Sequence, residues 1–242
     1  MPTARWLGHA AWEIRDGDTT LLLDPFITGN HESPVSADDL APTAILVTHG
    51  HGDHLGDALP VARRSGAVII APFELAHYCQ RQGAQVHPMH IGGAFTFAWG
   101  RVKLTQALHG SAVTGEEIIY TGNPCGFVIT LSRPSPAEAG ASARAGGRTV
   151  YFAGDTGLFG DMKLIGERDK LHLALLPIGG NFTMDIDDAV EAVKLLNCDQ
   201  VAPMHYGTFP VIAADPQEFK QKVESQTQAQ CVVLEPGGSL EY

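Results

Sequence analysis

Residues 49–54 read His-Gly-His-Gly-Asp-His, four potential metal-binding side chains in six positions, directly after the apolar run Ala44-Ile45-Leu46-Val47. A strand that ends in such an array must feed a tight polar turn at a sheet edge, and that narrows the fold more than any compositional measure. With 11 histidines in 242 residues, a chance H-x-H-x-D-H has odds on the order of one in a thousand. His49 and His51 are two residues apart and can point to one side, while Gly50 and Gly52 let the backbone turn and approach a small object. Asp53 and His54 then leave the turn at an expected helix start and face a second centre. The competing reading is a polar turn with solvated imidazoles.

A metal site needs more donors than one loop gives, and three more stand after apolar runs: His109 after residues 102–108, Asp155 after 149–153 and His205 after 200–204. Carboxyl ends of strands share a sheet edge, where α/β folds place their sites. Taken singly, each reads as readily as a structural histidine or a turn aspartate; the shared placement favours function.

Further short apolar runs at 20–23, 67–71, 127–131, 173–178 and 231–234 read as buried or half-buried strands. Helical spacing marks 73–82, ending at Gly83, and 186–196, behind Asp185 as N-cap. Interleaved strands and helices argue for layered α/β. Residues 132–148, rich in Pro, Ala, Ser and Gly, read as a surface loop. Because candidate ligands come from both sides of it, residues 1–242 are expected to form one domain. No sequence repeat is evident, although both halves contain strands that end in His or Asp.

The formal charge of −11 repels polyanions, so nucleic acid and anionic membranes are unexpected partners. No apolar run nears the roughly 20 residues needed to cross a bilayer, and the N-terminus lacks a signal-peptide centre. A cytoplasmic protein is expected. Cys79, Cys125, Cys198 and Cys231 form no C-x-x-C pair and read as small buried hydrophobes rather than disulfides or zinc ligands.

The sequence resembles the metallo-β-lactamase superfamily, and within it the metal-dependent hydrolases related to ascorbate-6-phosphate lactonases. The resemblance rests on Trp6-Leu7-Gly8-His9, Leu23-Asp24-Pro25-Phe26, residues 49–57, Ala107-Leu108-His109, residues 153–164, Leu176-Pro177-Ile178-Gly179 and residues 203–210. It implies a four-layer α-β-β-α sandwich with the site at one edge of two sheets. By resemblance His49, His51 and His109 bind one divalent metal ion, Asp53, His54 and His205 bind a second, and Asp155 bridges them. Zinc is the first expectation, with manganese or iron also suited to imidazole and carboxylate donors. Asp53 and Asp155 would be the catalytic carboxylates, and a water between the ions would attack as hydroxide. His51 stands where flavodiiron relatives carry Glu, which favours hydrolysis over oxygen chemistry.

Four residues are candidates for ligand support or substrate contact. Asp24 would orient a ligating imidazole or simply open a turn before Pro25; His9 would reach the pocket or serve as a hydrogen-bonded structural histidine. Tyr206 and Thr208 adjoin His205. Asp57 reads as a solvated or helix-supporting residue, and Phe182-Thr183-Met184 as a pocket cover or as packing. The expected reaction is hydrolysis of a small ester, lactone or related bond in a small-molecule substrate. A phosphodiesterase or nuclease with the same site, or a catalytically idle metal-dependent metabolite-binding protein, are the alternatives. The oligomeric state is left open, a homo-oligomer included.

Overall fold

The computed structural model describes residues 1–131 and 147–242. The loop expected over 132–148 lies outside the described residues except for its last two positions, of which Arg148 already opens a strand. Strands β1 (Thr3–Trp6), β2 (Trp12–Asp16), β3 (Thr19–Leu23), β4 (Ala44–Leu46), β5 (Val68–Pro72) and β6 (Val86–Met89) lie side by side in chain order. A second sheet is built from β7 (Ala94–Phe97), β8 (Gly100–Gln106), β11 (Cys125–Leu131), β12 (Arg148–Phe152), β13 (Leu173–Pro177), β14 (Gln200–Met204) and β15 (Gln230–Cys231). Between β8 and β11 the chain makes a separate hairpin of β9 (Ala112–Thr114) and β10 (Ile118–Tyr120). Strand β16 (Ser239–Glu241) returns to pair with β1.

Each large sheet has seven strands, and the two share one pairing pattern. From β16 through β1 and β2 to β3 the neighbours are antiparallel, and from β3 to β6 they are parallel. From β7 through β8 and β11 to β12 they are again antiparallel, and from β12 to β15 parallel. This structural duplication has no counterpart that could be read from the sequence. Its consequence is directional: β1, β3 and β4 end at one edge of the first sheet, and β8, β12 and β14 end at one edge of the second.

Central strands are apolar along their whole length because both faces are covered, as parallel sheets require. Leu21, Leu23, Leu46 and Ile70 join a large core with Phe127, Ile129, Val150 and Phe152 of the second sheet. Their neighbours Leu22, Ile45, Val47 and Ile69 point the other way, as the two-residue period of a strand dictates. After the single turn α1 (Gly52–Leu55), helices α2 (Ala58–Ser65) and α3 (Phe73–Arg81) cover that outer face with Val61, Leu75, Ala76 and Cys79. Helices α4 (Met162–Arg168), α5 (Ile186–Leu196) and α6 (Pro216–Gln226) cover the second sheet through Met162, Val193, Leu196 and Phe219. The result is the four-layer α-β-β-α sandwich. Each fully buried Leu or Ile contributes about 1.5–3 kcal/mol, so the two-sided strands anchor the layers.

The Asp185 side chain accepts the N–H of Asp188 at 3.0 Å and starts α5 as expected. The strand expected at 231–234 stops at Cys231. All four cysteines are free and buried. Among the described residues no helix is long and apolar enough to cross a membrane.

Candidate metal centre

Six strand ends converge. The segments after β1, β3, β4, β8, β12 and β14 carry His9, Asp24, residues 49–54, His109, Asp155 and His205, respectively. His9, Asp24 and His205 have φ of 53°, 39° and 55°, a left-handed backbone that costs a non-glycine residue of order 1–3 kcal/mol.

Two groups of donors result. His49 Nε2 lies 2.9 Å from His51 Nδ1, and His109 Nε2 lies 3.3 Å from the same atom. In the second group Asp53 Oδ2 is 3.8 Å from His54 Nε2 and 3.6 Å from His205 Nε2. Asp155 stands between them: Oδ1 is 3.2 Å from His54 Nε2, while Oδ2 is 3.1 Å from His205 Nε2 and 3.5 Å from His109 Nε2. Donors that share a tetrahedral ion at about 2.0–2.1 Å stand roughly 3.3–3.4 Å apart, which these separations bracket. His54 Nε2, both ring nitrogens of His205 and Asp155 Oδ1 are buried without a hydrogen-bond partner. Closely spaced yet unpaired donors of this kind are costly unless a cation satisfies them, so the residues fit divalent metal ions.

A buried carboxylate sets the ring orientation. Asp24 accepts the Thr48 N–H on Oδ1 at 2.8 Å and the Thr48 hydroxyl on Oδ2 at 2.6 Å. Having given its one proton to Asp24, the Thr48 oxygen must accept from His49 Nδ1, 2.9 Å away. Asp24 Oδ2 also takes the Nδ1–H of His54 at 2.7 Å. Both rings therefore carry a proton on Nδ1 and turn Nε2 inward, the orientation that metal-ligating histidines show when a carboxylate holds the far nitrogen. Thr48 was not singled out from the sequence; its one signal is a hydroxyl directly before the first histidine. Asp24 serves the rings rather than a turn alone.

His9 is fully buried, with Nε2 3.1 Å from Asp53 Oδ2 and Nδ1 3.0 Å from Thr208 Oγ1. Thr208 in turn donates to Glu32 Oε2 at 3.0 Å, so Glu32, which sequence reasoning missed, ends a chain that leads to Asp53. Tyr206 goes elsewhere: it is buried and its ring stacks on Trp6 at 5.5 Å. Asp57 is buried rather than solvated and stands at the N-cap position of α2, where its carbonyl accepts the Val61 N–H at 3.0 Å but its side chain makes no capping bond. It accepts the backbone N–H groups of Ile27 at 3.0 Å and Thr28 at 2.7 Å and the Thr28 hydroxyl at 2.7 Å, pinning the segment after Asp24. Of the two motif glycines, only Gly50 meets a close neighbour. A Cβ there would collide with Thr121 Oγ1 and come within 3.1 Å of the Ala112 carbonyl carbon, whereas Gly52 has open space. The close approach is thus to the β9–β10 hairpin. Phe182 is exposed and Met184 buried.

Electrostatics follow from three carboxylates among stacked rings. Burial lowers His49, His51 and His109, leaving them neutral donors, and pushes His9 down to about 4. Burial would also lower His205, but the facing Asp155 outweighs it and lifts the ring to about 9; His54 is raised by Asp155, Asp53 and Asp24 against the same penalty. Burial alone would raise Asp53 and Asp155, yet the surrounding imidazoles hold both well below the usual carboxylate range. The pocket attracts positive charge, which protons or metal ions can supply.

The description "Beta-lactamase superfamily domain" fits residues 19–206. The chain is 49% identical to a UPF0173 metal-dependent hydrolase of Desulforamulus reducens over 241 residues, 97% of each chain. It is 50% identical to one of Pelotomaculum thermopropionicum over 238 residues, 98% of each. Among solved structures it is similar to Igni18, a metallo hydrolase of the archaeon Ignicoccus hospitalis, with a TM-score of 0.86 and 37% identity, covering 100% of this chain and 99% of the other.

Proposed function

Starting from the fact that this chain belongs to the β-lactamase superfamily and, with its UPF0173 relatives, is a metal-dependent hydrolase, we propose that it holds two divalent ions and cleaves a small ester, lactone or related bond. His49, His51 and His109 would hold one ion, Asp53, His54 and His205 the other, with Asp155 shared; zinc suits the donor set best, manganese and iron next. The observation that carries this reading is the set of buried, unpaired donor atoms at shared-ion spacing on His54, His205 and Asp155.

When bound, the ions would supply Lewis acidity and lower the pKa of a bound water. The chain supplies the rest. Asp24 and Thr48 hold the His54 and His49 rings on target before any ion arrives, so little reorganisation is needed during reaction. Asp53, at 30% exposure the most open of the carboxylates, places Oδ2 against His9 Nε2, where a proton released by the attacking water can be held. In the overall step the water oxygen joins the acyl carbon and the acyl–oxygen bond breaks. One proton goes to the leaving alkoxide and one is released. Because the donors come from both sheets, we read the 242 residues as one domain.

The test is metal analysis of protein purified without chelators, coupled to assays of lactones, carboxylic esters and phosphodiesters. Two ions per chain with ester or lactone turnover is the expected result, and His51→Ala should lose metal and activity together while circular dichroism stays unchanged. Turnover of phosphodiesters alone would overturn the substrate reading. Full metallation with specific metabolite binding but no hydrolysis would overturn the enzymatic one.

A further inference from the structure

Resting on the hydrolase reading above, we infer that the substrate is uncharged and apolar around its scissile bond, with no phosphate or carboxylate on the part that sits beside the metal centre. None of the 16 Lys and Arg residues falls in the segments that form the site edge, residues 7–11, 24–36, 47–57, 107–124, 153–161, 178–185 and 205–215. Recognition of phosphate or carboxylate is the work of Arg and Lys forks, and these segments offer none. They do carry Glu32, which is outside the proposed ligand set and is linked through Thr208 and His9 to Asp53, a carboxylate that disfavours a second anion beside it.

What stands there instead is uncharged, a mixture of apolar side chains and neutral amides. His109 lines a cavity of about 580 Å³ whose other walls are Ile91, Ala107, Leu108, Pro124 and the neutral amides of Gln106 and Asn123. Leu108 and Phe182 are each 54% exposed. Thr156 links their segments, accepting the Leu108 N–H on its hydroxyl at 2.9 Å and the Met184 N–H on its carbonyl at 3.0 Å. The partly exposed Phe209 sets its ring 5.5 Å from that of His9. Large apolar side chains left in water around a concave site mark ligand contact. Among the described residues, Lys103 and Arg168 line a separate cavity of about 310 Å³ that adjoins this one at Ile91 and Gln106, and Lys103 is already paired with Asp169 at 3.2 Å.

Two matched pairs of probes test this on the metallated protein. Calorimetric binding of butyrohydroxamate and succinic monohydroxamate compares an apolar with an anionic tail on one metal-binding head. Hydrolysis of the 4-nitrophenyl esters of butyrate and of hemisuccinate compares them in turnover. The neutral member should be favoured roughly tenfold or more in both, in line with pocket discrimination by a side-chain-sized feature, and Leu108→Lys should shrink or reverse the ratio. Equal or stronger binding of the anionic hydroxamate, or failure of both to bind, overturns the inference. Anionic preference in turnover does so while leaving the hydrolase reading intact. Neutral preference in binding without hydrolysis of either ester supports the inference and defeats that reading.

Discussion

Replacing the Thr48 hydroxyl by a methyl, Thr48→Val, probes how Asp24 reaches His49. The change preserves shape: Gly154 packs against Thr48 Cγ2, where a Gly154 Cβ would stand only 2.7 Å away, and valine keeps that methyl. It removes the 2.6 Å donation to Asp24 and the 2.9 Å acceptor of His49 Nδ1. Losing a hydrogen bond to a buried carboxylate costs about 1.5–3 kcal/mol, and leaving the imidazole N–H unpaired costs a further 1–3 kcal/mol or so. His49 can avoid the second penalty only by moving its proton to Nε2, which blocks the lone pair aimed at the first donor group. Loss of such ligand support lowers metal affinity about 10- to 100-fold, equal to about 1.4–2.8 kcal/mol. His54 keeps its own 2.7 Å bond to Asp24, so the loss should fall on one ion of the pair. Competition against a chelator of known affinity, with stoichiometry followed through the titration, would resolve one weakened and one nearly unchanged site. Thr48→Ser should restore both. A valine variant that holds two ions as tightly as the parent would refute the proton assignment.

Other outcomes follow from the same geometry. Asp57→Ala strands two backbone N–H groups and a hydroxyl; it should cost roughly 2–4 kcal/mol in urea unfolding, and a loss below 1 kcal/mol would contradict the pinning role. Gly166→Ala gains about 1 kcal/mol of helix propensity, but its Cβ would collide with the Leu196 carbonyl oxygen and lie 2.6 Å from the carbonyl carbon. Backbone cannot yield as a side chain does, so overpacking of about 1–3 kcal/mol wins, and a raised melting temperature would show that α4 and α5 slide apart freely. In metal-free protein His205, at about 9 against an ordinary 6.5, contributes stability that is complete below 6.5 and is lost as pH rises through 9. The chelator-treated protein should therefore melt lower across that window, while metal binding tightens there because fewer protons must leave. Calorimetry in buffers of different ionisation enthalpy counts those protons, and pH-independent affinity would remove this linkage.

Much of the plan is local and was legible in order along the chain. The H-x-H-x-D-H array, the apolar runs that became β3, β4, β13 and β14, and the 186–196 helix with its Asp185 cap need only near neighbours to be read. Strand-end placement even marked His109, Asp155 and His205 as one set. Less was legible where the signal is weak or distant. The short or exposed strands β7, β9 and β10 lack a buried face to impose a period, and the matching pairing pattern of the two sheets lies in hydrogen bonds, not in residue identity. Tyr206 and Thr208 looked alike beside His205, yet one turns inward onto Trp6 while the other meets His9, 199 positions away. Residue chemistry and period fixed which groups could serve; only the packed sheets decided which nitrogen faces inward, because a proton's place on a buried ring is set by the nearest acceptor in space, and that acceptor, Asp24 beside His54, stands 30 residues off along the chain.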